Sequence, residues 1–258
     1  MDPREVEKLR EAYNEEHPDE PNIGKGPNAW HEITRRLKDE CDAKTANAQR
    51  ACVVHSLVKK PAAPQSWEEN GAEWLSSEDI DMSQKYYEKL VPSYYYVGSV
   101  PIDFDKRAKT GKCLVSSLCS LNIAELYKKG YRSIGVVFNT DTSDGPGEHW
   151  MAAFADIRSQ TPHMSFFDSY GQTPEKEVVV LMNRWKEQYD KMPTSRTPMK
   201  LFYNKVKHQT KDSQCGMYSI YFLYCSIFEI PIERRIPDDV LEWMRHFFFR
   251  YKQRRSKK

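Results

Sequence analysis

Apolar positions along this 258-residue chain recur at helical spacing near both ends and in short continuous runs in the middle. Residues 4 to 16 predict a weakly amphipathic helix, ended by Pro18, Pro21 and Gly24-Lys25-Gly26-Pro27. Trp30, Ile33, Leu37 and Cys41 fall on one helical face, so a helix is expected from about Pro27 to Asp42, and another over Thr45 to Leu57. Pro61, Pro64 and the polar residues after them read as a linker. Ser76 with Asp79 fits a capping box, and Ile80, Gln84, Tyr87 and Val91 would share the buried face of the helix it opens. Leu118 to Lys129 predicts one amphipathic helix stopped by Gly130. Strands are expected at Ser133–Asn139, His149–Ile157 and Met164–Phe167, with a loose polar turn, Thr140 to Glu148, between the first two. Val178, Leu181, Met182, Trp185 and Tyr189 mark a helix, and Leu201 to Val206 alternates as a strand would. Gly216 to Phe228 is apolar almost all round, the pattern of a buried helix. A last helix is expected to open near Pro237-Asp238-Asp239. The order predicts an α+β fold around a mixed sheet.

Composition divides this pattern into two parts. Charged residues, 29% of the chain, concentrate before residue 90 and after residue 230, so the main core belongs to the middle. Residues 1–67 are expected to form a small helical N-terminal arm of low intrinsic stability, and residues 68–258 the core domain. A formal net charge of +2 gives no global field toward nucleic acid. Five of the seven residues from Lys252 to Lys258 are basic, which leaves only a nonspecific nucleic-acid contact through the tail. There is no apolar signal region at the start and no run long enough for a membrane span. Cys41, Cys52, Cys113, Cys119, Cys215 and Cys225 show no CxxC spacing, so no metal site is expected. The expectation is a soluble protein in a reducing compartment with its thiols free.

Three residues carry candidate chemistry. Cys215, in Gln214-Cys215-Gly216, sits between a polar loop and the apolar helix. A sulfur at a helix N-terminus meets partial positive charge, which favours the thiolate. Gly216 would let a substrate approach the backbone. Cys225, ten residues on in the same helix, reads as core. His149 opens a strand and can serve a thiolate as its base. Asp168 ends the next strand, where antiparallel pairing would place its carboxylate beside His149 and orient the ring. Each has an ordinary alternative: a buried structural cysteine, a surface histidine, a turn aspartate capping its own backbone.

Taken together, His149-Trp150, Phe167-Asp168-Ser169 and the stretch from Gln209 to Gln214-Cys215-Gly216 resemble the motifs of the SUMO-specific protease and adenovirus endopeptidase superfamily. Within it, Val137 to Asp141, His149-Trp150 and Gln214 to Ser219 are most similar to the polyprotein-processing cysteine proteases of the African swine fever virus type, found in large DNA viruses. The resemblance covers about Trp74 to Tyr251, with Trp74-Leu75 similar to the Trp-Leu that opens SUMO-protease domains. One departure is Asp168, where the swine fever type has Asn; either can orient the histidine, but only Asp adds a charge.

The resemblance implies a papain-like or adenain-like fold and a Cys-His-Asp thiol protease needing no cofactor. It also implies Gln209 as the oxyanion-hole residue and Trp150 as part of a narrow tunnel over the substrate backbone; Gln214 is a lesser candidate that shapes the loop. The implied activity is an endopeptidase cutting after Gly-Gly-type sites, processing viral structural polyproteins in host cytoplasm and virion. The alternatives are an isopeptidase removing SUMO or other ubiquitin-like modifiers, an acyltransferase on the same triad, and a non-catalytic binding module, against which four intact site residues argue. In each enzymatic case the partner is a polypeptide.

Overall fold

The structure is a computed structural model that describes residues 1–158, 161–232 and 234–252. Residues 253–258, most of the basic tail, therefore lie outside the described residues.

Three helices come first: α1 (Pro3–Glu16), α2 (Ala29–Arg36) and α3 (Ala46–Leu57). Asp2 and Thr45 cap α1 and α3 by accepting the N–H of Arg4 and Ala48, one each. α2 is shorter than its periodic pattern, because Leu37 leaves the helical conformation while its side chain still reaches the core. A single 3-10 turn at 65–68 leads to α4 (Ser77–Leu90), where Ser76 and Asp79 close the expected capping box.

The sheet has five strands in chain order: β1 (Tyr94–Pro101), β2 (Ser133–Asn139), β3 (Trp150–Asp156), β4 (His163–Phe167) and β5 (Lys200–Tyr203). The outer pairs β1–β2 and β4–β5 are parallel and the inner pairs antiparallel, so the sheet is mixed. The sequence pattern did not reveal β1: its Tyr94-Tyr95-Tyr96 start is interrupted by a register shift between Tyr96 and Ser99 and it ends on Pro101, as an edge strand can.

The helix expected over 118–129 is two short ones, α5 (Ser116–Cys119) and α6 (Ile123–Lys128). Asn122 breaks the run by capping α6 through the N–H of Glu125. α7 (Lys176–Asp190) crosses from β4 to β5, and α8 (Cys215–Ile227) and α9 (Asp238–Phe248) close the chain.

Every residue of β2 and β3 is buried because both faces of the sheet are covered. Ile134, Val136, Phe138, Met151 and Ala153 face α6 and α7. Val137, Ala152, Phe154 and Phe167 face α8, and this second cluster also takes in α4, α9 and the N-terminal helices. Leu9, Tyr13, Ile33, Val53, Val54 and Leu57 belong to it. Arg50 of α3 binds Glu5 at 2.6 and 2.8 Å and donates to the carbonyl of Ile227, the last residue of α8, at 3.0 Å. His55 stacks on Phe247 of α9 with ring centres 3.4 Å apart. The N-terminal helices thus share one apolar core with α8.

The expectation of free thiols needs correction. The structure joins Cys41 to Cys52 and Cys113 to Cys119, leaving Cys215 and Cys225 free among the described residues. Packing of α3 on the segment after α2 brings the Cys41 and Cys52 Cα atoms to 5.6 Å, a separation a disulfide spans and that sequence spacing does not reveal. Among the described residues, no helix is long and apolar enough to cross a membrane.

Candidate active site

Cys215 is the first residue of α8, so its backbone N–H has no intrahelical acceptor and its sulfur lies at the positive end of the helix. The residue is 1% exposed. Gln214 precedes it in a non-helical conformation and accepts the N–H of Tyr218 at 2.9 Å, which starts the helix. The expected purpose of Gly216 changes in the structure. A Cβ there would stand 3.0 Å from Leu75 Cβ and 3.3 Å from Trp150 Cδ1, so glycine admits these two side chains against the helix.

His149 immediately precedes β3, and Asp168 immediately follows β4. Antiparallel pairing of these strands brings His149 Nε2 and Asp168 Oδ1 to 2.6 Å. With Nε2 engaged, Nδ1 is the ring nitrogen left for Cys215. Burial works to lower the imidazole pKa. Hydrogen bonds to Asp168 and Cys215, with the charges of both, overcome it and push the value up to about 9. The arrangement therefore favours the imidazolium form of His149. By contrast, burial pushes the Cys225 thiol up to about 12, which leaves it inert.

The turn before His149 is not loose, as its polar composition suggested. Asn139 Oδ1 accepts the N–H groups of Asp141 and Glu148 at 2.9 and 3.0 Å. Asp141 in turn accepts those of Thr142 and Gly147, and Asp103 accepts that of Ser143. Side chains that read as surface polarity are internal braces that fix where β3 begins.

Asp168 is 2% exposed and held on all sides. Its carboxylate accepts the N–H of Tyr170 at 3.2 Å and of Gln172 at 2.9 Å. Its backbone N–H donates to Asn204 Oδ1, and its carbonyl accepts from Asn204 Nδ2, both at 2.9 Å. The turn closes at Gly171, whose φ of 72° and approach to the Val206 backbone (2.9 Å from an added Cβ) both demand glycine.

Gln209 is fully buried. Its Oε1 accepts from Ser169 Oγ at 2.6 Å, while its Nε2 donates to the Lys211 carbonyl and, at 3.3 Å, to Tyr170 Oη. The carbonyl partner of Nε2 fixes which end of the amide is which. The Tyr170 ring lies 5.0 Å from that of His149. Sequence reasoning missed Tyr170, Asn204 and Ser169. Tyr170 and Ser169 directly follow Asp168, but no spacing rule links Asn204, 36 residues on, to it.

Trp150 is buried, with its indole N–H donating to the Leu75 carbonyl at 3.0 Å. Together with Trp74, Leu75, Val100, Leu114 and Gly147 it lines a groove beside His149. Trp74, 45% exposed, lines the same groove. Among the described residues, one group of metal-ligating residue types comes together, Asp105 with Cys113 and Cys119. Its two sulfurs are joined to each other, and Asp105 is ion-paired with Arg184 at 2.9 Å.

Residues 133–257, which span β2 to the C-terminal tail and include His149, Asp168, Gln209 and Cys215, match the Ulp1 protease family, C-terminal catalytic domain. The second half of the chain is thus similar to a Ulp1-type catalytic domain. A protein of Acanthamoeba polyphaga mimivirus named as a thiol protease is 32% identical over 151 residues, 58% of this chain and 47% of that one. The cysteine protease of African swine fever virus is 32% identical over 127 residues, 48% of this chain and 46% of its own. The chain thus spans about half the length of the curated relatives it matches. Its fold is similar to the crystal structure of the swine fever virus protease, with a TM-score of 0.63 at 18% identity over 90% of this chain and 92% of that one. It is also similar to the C-terminal Ulp1 protease domain in complex with SMT3, the yeast ortholog of SUMO, with a TM-score of 0.50 at 13% identity, over 88% and 94%. At these identities the structural likeness concerns the fold.

Substitution of Asp168 separates charge from orientation in this candidate site. In Asp168→Asn the amide keeps one acceptor for His149 but presents N–H to a second backbone N–H, so peptide cleavage should fall by about 10²-fold or less; Asp168→Ala should lose about 10²–10⁴-fold. Steady-state kinetics on one peptide checks this. Wild-type rates in Asp168→Ala would remove Asp168 from the site.

Proposed function

We propose that this protein is a cysteine endopeptidase in which Cys215 is the nucleophile, His149 the base and Asp168 the residue that orients it. The observation that carries the reading is His149 hydrogen-bonded to Asp168, with Asp168 and the Cys215 sulfur at the start of α8 both favouring its protonated ring. The Cys215 proton passes to His149 Nδ1, and the thiolate adds to a peptide carbonyl, forming a C–S bond and an oxyanion. The Cys215 backbone N–H and the Gln209 amide stabilise that charge. Gln209 already lies in a rigid network, and the N–H it now gives to Tyr170 Oη is the one available to the oxyanion. His149 then returns its proton to the leaving amine, and water hydrolyses the thioester.

The favoured substrate is an extended polypeptide with glycine at both positions before the cut. Trp150 is a rigid wall fixed by Leu75 and Gly216, and the groove it lines with Trp74 suits backbone without a Cβ. Several African swine fever virus relatives bear the name SUMO-1 cysteine protease, and another relative is a mimivirus protein named as a thiol protease. We therefore read the physiological substrate as a viral polyprotein in an infected cell, with a SUMO-type conjugate as the second reading. A peptide library randomised at the two positions before the cut should return Gly-Gly, with at least about tenfold preference over Ala-Ala for a wall that excludes methyl groups. Preference for Lys, Arg or bulky aromatics would sink the specificity. Incubation with a Gly-Gly-containing precursor and, in parallel, with a SUMO-lysine conjugate separates the two substrate classes.

A further inference from the structure

Gln209 can serve an oxyanion only if the loop that carries it stays in place, and the loop belongs to no helix or strand. One side is held by Ser169, whose carbonyl accepts the N–H groups of His208 and Gln209 at 2.8 and 2.9 Å. The other side is held by a residue 29 positions further along. Asp238, the first residue of α9 and 4% exposed, points its carboxylate into the loop. Oδ2 accepts the Thr210 N–H at 2.9 Å, the Lys211 N–H at 3.3 Å and the Thr210 hydroxyl. Oδ1 lies 3.3 Å from Tyr218 Oη, on α8, whose single proton it shares with the Ile236 carbonyl. The carboxylate thus ties the two residues after Gln209 to the helix that begins with Cys215.

Its neighbours reinforce the same joint. Tyr218 Oη also donates to the Ile236 carbonyl at 2.7 Å, Ile236 N–H donates to His208 Nδ1 at 3.2 Å, and Arg235 Nε donates to the His208 carbonyl at 3.1 Å. Lys211 reaches along α9 to Glu242 at 2.7 Å. Burial alone would raise the Asp238 pKa, but the bonds from Thr210, Lys211 and Tyr218 keep it below the usual carboxylate value. The Lys211 carbonyl, fixed by this joint, is the acceptor that turns the Gln209 amide.

We propose that Asp238 is a positioning residue for the oxyanion hole: through Thr210 and Lys211 it sets the Gln209 amide relative to Cys215. This rests on the proposed protease reading. Asp238 touches no reacting atom and acts through the loop alone.

The test uses two readouts on the full chain. One is turnover of an acetylated peptide ending in Gly-Gly joined to aminomethylcoumarin, which passes through an oxyanion. The other is alkylation of Cys215 by iodoacetamide, a displacement at carbon that forms no oxyanion and reports only the thiolate. Asp238→Asn should lower kcat about 10–100-fold, short of the loss of a whole oxyanion donor. KM and alkylation rate should stay within about twofold, which the same reasoning demands of a change confined to the oxyanion. In a Gln209→Ala background, Asp238→Asn should add almost nothing, because both changes remove one interaction. Three results would overturn the proposal: wild-type kcat in Asp238→Asn, an equal fall in alkylation, or full additivity with Gln209→Ala. A wild-type protein that alkylates but never cleaves would instead sink the protease reading itself.

Discussion

Cys215→Ser should reduce peptide cleavage by about 10⁴–10⁶-fold and leave the melting temperature nearly unchanged, since removing a nucleophile disables the whole unit at once. Sulfur and oxygen differ little in size, so the packing of a residue already 1% exposed survives. A serine hydroxyl, however, is a far weaker acid and a weaker nucleophile than a thiol paired with a base such as His149. Alkylation followed by mass spectrometry supplies the companion result. Cys215 should be modified first, because burial holds Cys225 in its thiol form and the other four cysteines are paired. A folded Cys215→Ser protein with undiminished cleavage, or first labelling at another cysteine, would remove Cys215 from the mechanism.

A chain beginning at Ser66 should fail to fold cooperatively. The deletion strips α1, α2 and α3 from the cluster that buries α8 and uncovers Tyr87, Tyr224, Phe228 and Phe247. Each large side chain newly exposed forfeits roughly 1.5–3 kcal/mol. Four such losses approach the whole stability of an ordinary domain, about 5–15 kcal/mol. The deletion also removes the clasp of Pro61 and Ala63 on Arg250 and the Arg50 bond to the end of α8. Circular dichroism during heating would show this as the loss of a sharp transition. A truncated chain that melts within a few degrees of the full one, and cuts peptide as fast, would show that residues 1–65 serve neither stability nor catalysis.

Much of the molecule is written in local pattern. The capping residues Ser76 and Thr45, the all-apolar α8 and the buried β2 and β3 follow from period, propensity and cap chemistry acting over a few residues. The same holds for the candidate site. A histidine before one strand, an aspartate after the next and a cysteine at a helix start are local signals whose order along the chain is itself informative. β1 escaped because its stability comes from parallel pairing with β2, a partner more than 30 residues away, and not from alternation of its own.

What the tertiary structure decided is how those residues are held. The chain alone determined that Cys215 stands at the start of a helix and that His149 and Asp168 lie at the ends of neighbouring strands. It did not show that Asn139 and Asp141 brace the turn before His149, that Asn204 grips the Asp168 backbone, or that Asp238 pins the Gln209 loop. Nor did it show that Cys41 meets Cys52, or that the N-terminal helices share the core of α8. The physical reason is common to all of these. A polar side chain finds its partner only after distant segments have packed, and until then Asn, Asp and Cys look like the residues of any surface loop.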